Sequence, residues 1–90
     1  MNKGDLINAV ADAAGLSKAQ AGDAVAAVLG SIEKSLKSGE KASLIGFGTF
    51  SVNRRPARDG RNPATGQTIR IAAKNVVKFK PGKSLSDSVN

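Results

Sequence analysis

The sequence predicts an α+β fold with two N-terminal helices, a three-stranded antiparallel sheet carrying a long β-ribbon, and a short C-terminal helix. Apolar residues recur with a period of about 3.6 up to Gly39 and of about 2 after it, which indicates a change from helix to strand. Glycine and proline signals separate the later elements, for example Pro81 with Gly82. The excess positive charge is confined to residues 53–80, where a polar ribbon interrupts the strands.

The first predicted helix covers about residues 3–14. Asn2 precedes it and Asp5 follows three residues later, which is the spacing of a capping box. Gly15 stands where a glycine commonly ends a helix. The apolar residues between these signals have helical spacing; they are Leu6, Ile7, Val10, Ala11 and Ala14.

The second predicted helix covers about residues 18–38. Ser17 and Gln20 form a second capping box at its start, and Ser38 with Gly39 gives a stop signal. Its apolar stripe is rich in alanine, which permits close packing of the two helices. Residues 1–39 are therefore expected to form a helical base.

Residues 40–52 and 75–81 are predicted to form the three strands of the sheet. Gly46 and Gly48 interrupt the first segment and predict a tight hairpin between two short strands. In the second segment apolar residues alternate with lysines, so that one face would enter a core and the other would present charge. The phenylalanines have strand spacing, which favours a core or dimer interface over base stacking; they are Phe47, Phe50 and Phe79.

Residues 53–74, between the second and third strands, are predicted to form a β-ribbon arm. At about 3.3 Å per residue such an arm is roughly 30 Å long. It has too little apolar area to fold back on a core, so we expect it to stand free in water. A short helix is predicted within residues 82–90.

The composition predicts a single small domain, residues 1–90, that is not an enzyme. The chain has no cysteine for disulfides and no histidine for a zinc site, which are common reinforcements of small domains. We therefore expect a homodimer. Because His, Cys, Tyr and Trp are absent and the carboxylates are scattered, we expect no catalytic residue, metal, cofactor or small-molecule substrate.

The charge distribution predicts a nucleic-acid partner. Residues 53–80 hold eight basic residues against Asp59 alone, which equals the whole net charge of +7. Arginine binds phosphate bidentately and suits a narrow electronegative groove. A membrane is not expected, because these charges lie on an extended ribbon rather than on an amphipathic helix. No apolar run approaches the roughly 20 residues that span a bilayer.

Pro63 lies at the centre of this basic segment and has two interpretations. In most proteins a proline before Ala-Thr-Gly sets the conformation of a turn. At the end of a cationic ribbon, an uncharged ring can also act as a wedge between base pairs. Minor-groove architectural proteins use such wedges, among them proline, to kink a duplex by about 20–90°.

A longer motif resembles the bacterial HU/IHF family of DNA-bending proteins, and HU most closely. It consists of Gly46-Phe47-Gly48-Thr49-Phe50, then Arg55, Arg58, Gly60 and Arg61-Asn62-Pro63-Ala64-Thr65-Gly66. The resemblance covers the whole chain. It implies an intertwined dimer in which a helical base supports a β-saddle and two arms embrace DNA. It also implies histone-like, largely sequence-independent binding and bending of double-stranded DNA through the minor groove, with nucleoid compaction and DNA stabilisation.

The resemblance further implies a set of site residues, with Pro63 as the intercalating residue. The expected DNA-binding residues of the arm are Arg54, Arg55, Arg58, Arg61, Asn62, Thr65, Arg70 and Lys74. The expected phosphate contacts on the body are Lys3, Lys80 and Lys83. The expected dimer core contains Phe47, Phe50 and Phe79.

Two alternatives remain open at this point. An IHF-like subunit would prefer particular sites through DNA shape and would pair with a paralogous chain. RNA binding as a secondary activity is also open, because phosphate contacts alone do not distinguish RNA from DNA. The N-terminus lacks the apolar region of a signal peptide, and the absence of cysteine fits a reducing compartment. A cytoplasmic, nucleoid-associated protein is therefore expected.

Overall fold

The computed structural model describes all residues from Met1 to Asn90. The elements in chain order are α1 (Lys3–Ala14), α2 (Lys18–Lys37), β1 (Ala42–Leu44), β2 (Gly48–Arg55), β3 (Arg58–Arg61), β4 (Thr68–Ile71), β5 (Lys74–Pro81) and α3 (Lys83–Ser88). The chain divides into two compact units, residues 1–35 and 36–90. Two helices followed by antiparallel strands and a short terminal helix confirm the predicted α+β fold class.

Side-chain caps define the starts of both long helices, as predicted. The Asn2 side chain accepts a hydrogen bond from the Asp5 N–H at 2.8 Å, and the Asp5 carboxylate accepts one from the Asn2 N–H at 3.1 Å. Ser17 and Gln20 make the same reciprocal pair before α2, with both distances 3.1 Å. These bonds satisfy N–H groups that have no partner within the helix.

The helical unit buries only small side chains. Its buried apolar residues are Ala11 of α1 and Ala21 and Val25 of α2. An open apolar groove of about 220 Å³ is lined by Leu6, Val10, Ala24, Val25, Val28 and Leu29. Val28 is 57% exposed and Leu29 is 47% exposed, so much of the apolar stripe of α2 has no cover in the single chain.

The tight hairpin predicted after Gly39 joins β1 to β2. The N–H of Phe47 donates to the carbonyl of Leu44 at 3.0 Å, which closes the turn. Gly46 has a φ of 85°, a left-handed conformation that glycine adopts without the steric cost of a Cβ. The turn therefore explains why a glycine stands between two apolar residues here.

β1, β2 and β5 form one antiparallel sheet in that order, which confirms the predicted three-stranded arrangement. The β2–β5 ladder extends without interruption from Gly48 paired with Pro81 to Arg55 paired with Lys74. The start and the end of the predicted arm, residues 53–55 and Lys74, thus belong to this sheet.

The three phenylalanines form one cluster around Phe79. The centroid of its ring lies 4.7 Å from that of Phe50 and 5.6 Å from that of Phe47, with both pairs tilted. The ring also lies against Gly48, because a Cβ added to that glycine would stand 2.5 Å from the ring atom Cζ. Phe47 nevertheless remains 48% exposed and Phe79 40% exposed, so the cluster is uncovered on one side.

β3 and β4 form a separate two-stranded antiparallel sheet, here called the β3–β4 ribbon (residues 58–71). Its ladder extends from Arg58 paired with Ile71 to Arg61 paired with Thr68. Two unpaired residues on each side, 56–57 and 72–73, separate it from the β2–β5 ladder. Pro56 lies in this interruption, where its missing N–H removes no ladder hydrogen bond.

The predicted C-terminal helix is confirmed as α3. Gly82 precedes it, and its N–H donates to the carbonyl of Phe47 at 2.8 Å, which ties the start of α3 to the β1–β2 hairpin. None of the three helices is both long enough and apolar enough to cross a membrane.

Candidate nucleic-acid interface

The three-stranded sheet has one cationic face and one apolar face. Directly paired residues of antiparallel strands share a face, and neighbours along a strand alternate between faces. By this register one face, here called the cationic sheet face, carries Arg55, Lys74, Lys78 and Lys80. The other, here called the phenylalanine face, carries Ala42, Leu44, Phe50, Val52, Val77 and Phe79. The predicted division of β5 into an apolar face and a charged face is thereby confirmed.

The cationic sheet face has no acidic side chain. Its polar neighbours on β2 and β1 are the amide residue Asn53 and the hydroxyl residues Ser43, Thr49 and Ser51. The Thr49 hydroxyl lies 3.5 Å from that of Ser43. All four basic residues are exposed. Uncompensated positive charge beside small hydroxyl groups suits a phosphate backbone, which accepts hydrogen bonds from both kinds of donor.

The β3–β4 ribbon also has two different faces. Asp59, Arg61, Thr68 and Arg70 share one face, and Arg58, Gly60, Ile69 and Ile71 share the other. A Cβ added to Gly60 would stand 2.7 Å from the Cδ1 atom of Ile71, so the isoleucine side chain covers this glycine. The ribbon therefore carries a small apolar strip, and Ile69 within it is 45% exposed.

Asp59, the only acid in the basic segment, pairs with an arginine on the opposite strand. The Nη1 atom of Arg70 donates to Oδ1 of Asp59 at 3.2 Å. The Arg70 side chain is 69% exposed, and the Asp59 side chain is 66% exposed. Arg61 lies on the same face, two residues along β3.

The ribbon tip is a compact turn closed by backbone and side-chain hydrogen bonds. The N–H of Asn62 donates to the carbonyl of Gln67 at 2.8 Å, and the N–H of Gly66 donates to the carbonyl of Asn62 at 2.7 Å. The Asn62 side-chain oxygen accepts from the Ala64 N–H at 2.9 Å, and the Thr65 hydroxyl accepts from the Gln67 N–H at 3.3 Å. Gly66 completes the turn with a φ of 72°.

This turn presents Pro63 to solvent. The bond from Ala64 to the Asn62 side chain spans the proline, and Pro63 itself is exposed. Proline has a fixed φ and no N–H, so its position at the tip leaves no donor without a partner. The two interpretations of Pro63 are therefore compatible, because the residue that forms the turn also exposes an apolar ring at the ribbon tip.

The whole chain, residues 1–90, matches the sequence profile of the family described as Bacterial DNA-binding protein. The chain belongs to this family. It is 60% identical over 89 residues to the DNA-binding protein HU of Staphylococcus aureus (strain COL), with 99% of each chain covered. It is 57% identical over 90 residues to the DNA-binding protein HRm of Rhizobium meliloti (strain 1021), with 100% of each covered. The resemblance to HU is thus confirmed.

Solved structures of the HU family show the same fold. An Anabaena HU–DNA cocrystal structure matches with a TM-score of 0.89 and 43% identity, covering 99% of this chain and 97% of that one. The structure of HU from Thermotoga maritima matches with a TM-score of 0.70 and 31% identity, covering 100% of both chains.

In this HU-family protein the predicted site residues fall into several groups. Arg55 and Lys74 are directly paired on the cationic sheet face, and Lys80 shares this face at the other end of the ladder, whereas the register places Arg54 on the phenylalanine face. Arg58, Arg61 and Arg70 lie on the β3–β4 ribbon, and Asn62 and Thr65 build its tip. Lys83 is exposed at the start of α3, and Lys3 is exposed at the start of α1. Their contacts with DNA remain predictions.

Two features of the candidate site were not predicted from the sequence. Lys78 shares the cationic sheet face with Lys80, and the alternation of β5 in the sequence already carried this signal. The pair between Asp59 and Arg70 depends on the β3–β4 register, for which the sequence holds no local signal.

Proposed function

We propose that this protein binds double-stranded DNA largely without regard to sequence and bends it through the minor groove. The observation that carries the proposal is a cationic ribbon that ends in an exposed proline. A relative with the same fold was crystallised as an HU–DNA complex, which supports the proposal. Compaction and stabilisation of nucleoid DNA in the bacterial cytoplasm follow as the proposed cellular role.

Phosphate contacts supply the affinity. The cationic sheet face and the ribbon residues Arg58 and Arg61 displace counterions from the duplex, so that each phosphate neutralised contributes about −0.9 to the slope of log K against log salt. Arg55, Lys74, Lys78 and Lys80 follow the backbone from the sheet, and Arg58 and Arg61 enter the groove from the ribbon. Lys3 and Lys83 contact flanking phosphates.

The proline tip supplies the bend. Unstacking one base step costs a few kcal/mol, which the additional contacts of a bent duplex offset. A rigid ring loses little conformational entropy on insertion, and the hydrogen bonds of the tip hold it in place before DNA arrives. Pro63 is therefore the wedge, and Asn62 and Thr65 are the residues that position it.

The DNA-binding form is a homodimer. Only Ala11, Ala21 and Val25 of the apolar side chains are buried in one chain, whereas large apolar residues of the α2 stripe and of the phenylalanine face are exposed. A second copy that covers these surfaces completes the core and duplicates the arm. A folded species with the 9.2 kDa mass of one chain at micromolar concentration would contradict this proposal.

The proposal is restricted to duplex DNA and to self-association. The similarity to HU proteins of other bacteria gives no better support to an IHF-like, site-preferring subunit, and it favours neither RNA nor a paralogous partner chain. Shape-dependent site preference would require a ratio of specific to non-specific affinity of typically about 10³ or more.

The test is a binding and bending measurement on one short duplex that carries a fluorophore at each end. Wild-type protein should bind with an affinity that falls steeply between about 50 and 200 mM salt. Energy transfer between the ends should rise on binding as the duplex bends. An affinity that does not depend on salt, or tighter binding to anionic vesicles than to the duplex, would contradict the proposal.

A further inference from the structure

The β3–β4 ribbon contains an internal anion at the place where arginine density is greatest. The register puts Asp59 directly opposite Arg70, and the guanidinium donates to the carboxylate at 3.2 Å. Arg61 lies on the same face, whereas Arg58 lies on the other. Both partners of the ion pair are about two-thirds exposed, so solvent and any bound polyanion can reach them.

We propose that Asp59 competes with DNA phosphate for Arg70 and thereby limits the affinity of the ribbon. This inference rests on the proposed function. In the free protein the carboxylate occupies a donor of Arg70 that would otherwise bind a phosphate. On DNA, Arg70 contributes fully only when the pair opens, and the freed carboxylate then faces the phosphates. The ribbon consequently binds as though it had fewer arginines than its sequence shows.

The exposure of the pair argues against a structural role. Exposed ion pairs contribute little to stability, because solvent screens the charges and ordering two side chains costs entropy. The β3–β4 ladder and the hydrogen bonds of the tip hold the ribbon without it. Asp59 adds little to the stability of the fold and opposes the positive charge of the ribbon. We therefore expect its main effect to be on DNA affinity.

The size of the effect follows from counterion release. If removal of the carboxylate lets Arg70 neutralise one further phosphate, the slope of log K against log salt steepens by about 0.9 for each ribbon. Across a fourfold change in salt, this slope corresponds to about 3- to 4-fold in affinity for one ribbon and about 10-fold for two. An exposed Asp59→Asn change keeps the size of the side chain and leaves thermal unfolding unchanged.

The experiment is a double-mutant cycle on duplex binding across a salt series. It compares wild type, Asp59→Asn, Arg70→Gln and the double variant. Asp59→Asn should bind several-fold more tightly at low salt and with a steeper slope. Arg70→Gln alone should change the slope little, because Arg70 is already paired. In the Arg70→Gln background, the gain from Asp59→Asn should be largely lost.

The matched control is Asp12→Asn in α1, which makes the same change in net charge on an exposed helical residue. It should change the affinity and the slope much less than Asp59→Asn does. An equal effect would mean that net charge alone is responsible and would overturn the proposal.

Three further results would overturn it. Weaker binding of Asp59→Asn would mean that Asp59 positions Arg70 for DNA. Equal gains from Asp59→Asn with and without Arg70 would mean simple repulsion, and no gain would mean no competition. If wild type binds with the expected salt dependence and the cycle shows no coupling, only this inference fails. If no variant binds the duplex at about 50 mM salt, the proposed function fails with it.

Discussion

At the scale of single residues, Asn62 shows how a polar side chain can serve a site from within a turn. The resemblance to HU implies that Asn62 lines the arm in the minor groove. In the structure its side-chain oxygen accepts a hydrogen bond from Ala64, and its backbone bonds to Gln67 and Gly66. The sequence indicates a turn with Pro63 in it, but the side-chain bond that holds the proline depends on local geometry that residue types alone do not specify.

We expect Asn62→Ala to weaken bending more than binding. Loss of one hydrogen bond of about 0.5–1.5 kcal/mol leaves the tip less ordered and lowers the population of the bent complex by about 2- to 10-fold. The salt slope should stay unchanged, because Asn62 carries no charge. End-to-end energy transfer on a labelled duplex measures the bend. Gln67→Ala is the control, since both hydrogen bonds of Gln67 at the tip come from its backbone. Equal bending by Asn62→Ala and wild type would contradict this role.

At the level of secondary-structure elements, local sequence signals are sufficient to predict the helices but not the registers of the paired strands. Both capping boxes and the β1–β2 hairpin depend on residues within four positions of one another, so the sequence predicts them directly. The β2–β5 and β3–β4 registers join residues that are distant in the chain. The ion pair of Asp59 and the position of Arg54 on the phenylalanine face could therefore be read only from the folded sheet.

Within the sheet, Gly48 is the residue whose substitution has the clearest expected effect on stability. A Cβ at this position would stand 2.5 Å from Cζ of Phe79 and 2.7 Å from the carbonyl oxygen of Lys80. We expect Gly48→Ala to lower the free energy of unfolding by about 1–3 kcal/mol, because the backbone and the ring must both move.

Chemical denaturation at a fixed protein concentration measures this change. Gly30→Ala is the matched control: Gly30 lies within α2, and a Cβ there would meet nothing within 4 Å. It should stabilise the protein by about 0.5–1 kcal/mol, because alanine is the better helix former. If Gly48→Ala were as stable as wild type, the sheet would have to accommodate the added Cβ without cost.

At the scale of the whole molecule, the exposed apolar surfaces support the proposal that two copies of the chain associate. The small core and the lack of cysteine and histidine predict a homodimer from the sequence, and large apolar residues remain exposed in one chain. The mutual arrangement of two copies cannot be derived from one chain, because the contacts that fix it lie between chains.

We expect Phe47→Asp to dissociate the dimer. Burial of one phenylalanine side chain contributes about 1.5–3 kcal/mol, and a dimer has two, so the dissociation constant should rise at least about 100-fold. Sedimentation equilibrium measures it directly. The control is Ile69→Asp on the β3–β4 ribbon, where an apolar side chain of similar exposure lies outside the phenylalanine cluster. Unchanged dimerisation of Phe47→Asp would exclude the phenylalanine cluster around Phe79 from the interface.

The proposed bending of duplex DNA by a proline-tipped cationic ribbon depends on the ring of Pro63, so the decisive experiment measures the bend that Pro63→Ala produces. The measurement is energy transfer between the ends of a short duplex saturated with protein. Ala64→Ser serves as the control, because it alters the same tip and keeps the ring. We predict that Pro63→Ala still binds with the wild-type salt slope but bends the duplex clearly less, whereas Ala64→Ser bends it fully. Bending by Pro63→Ala as sharp as that by wild type would contradict the account.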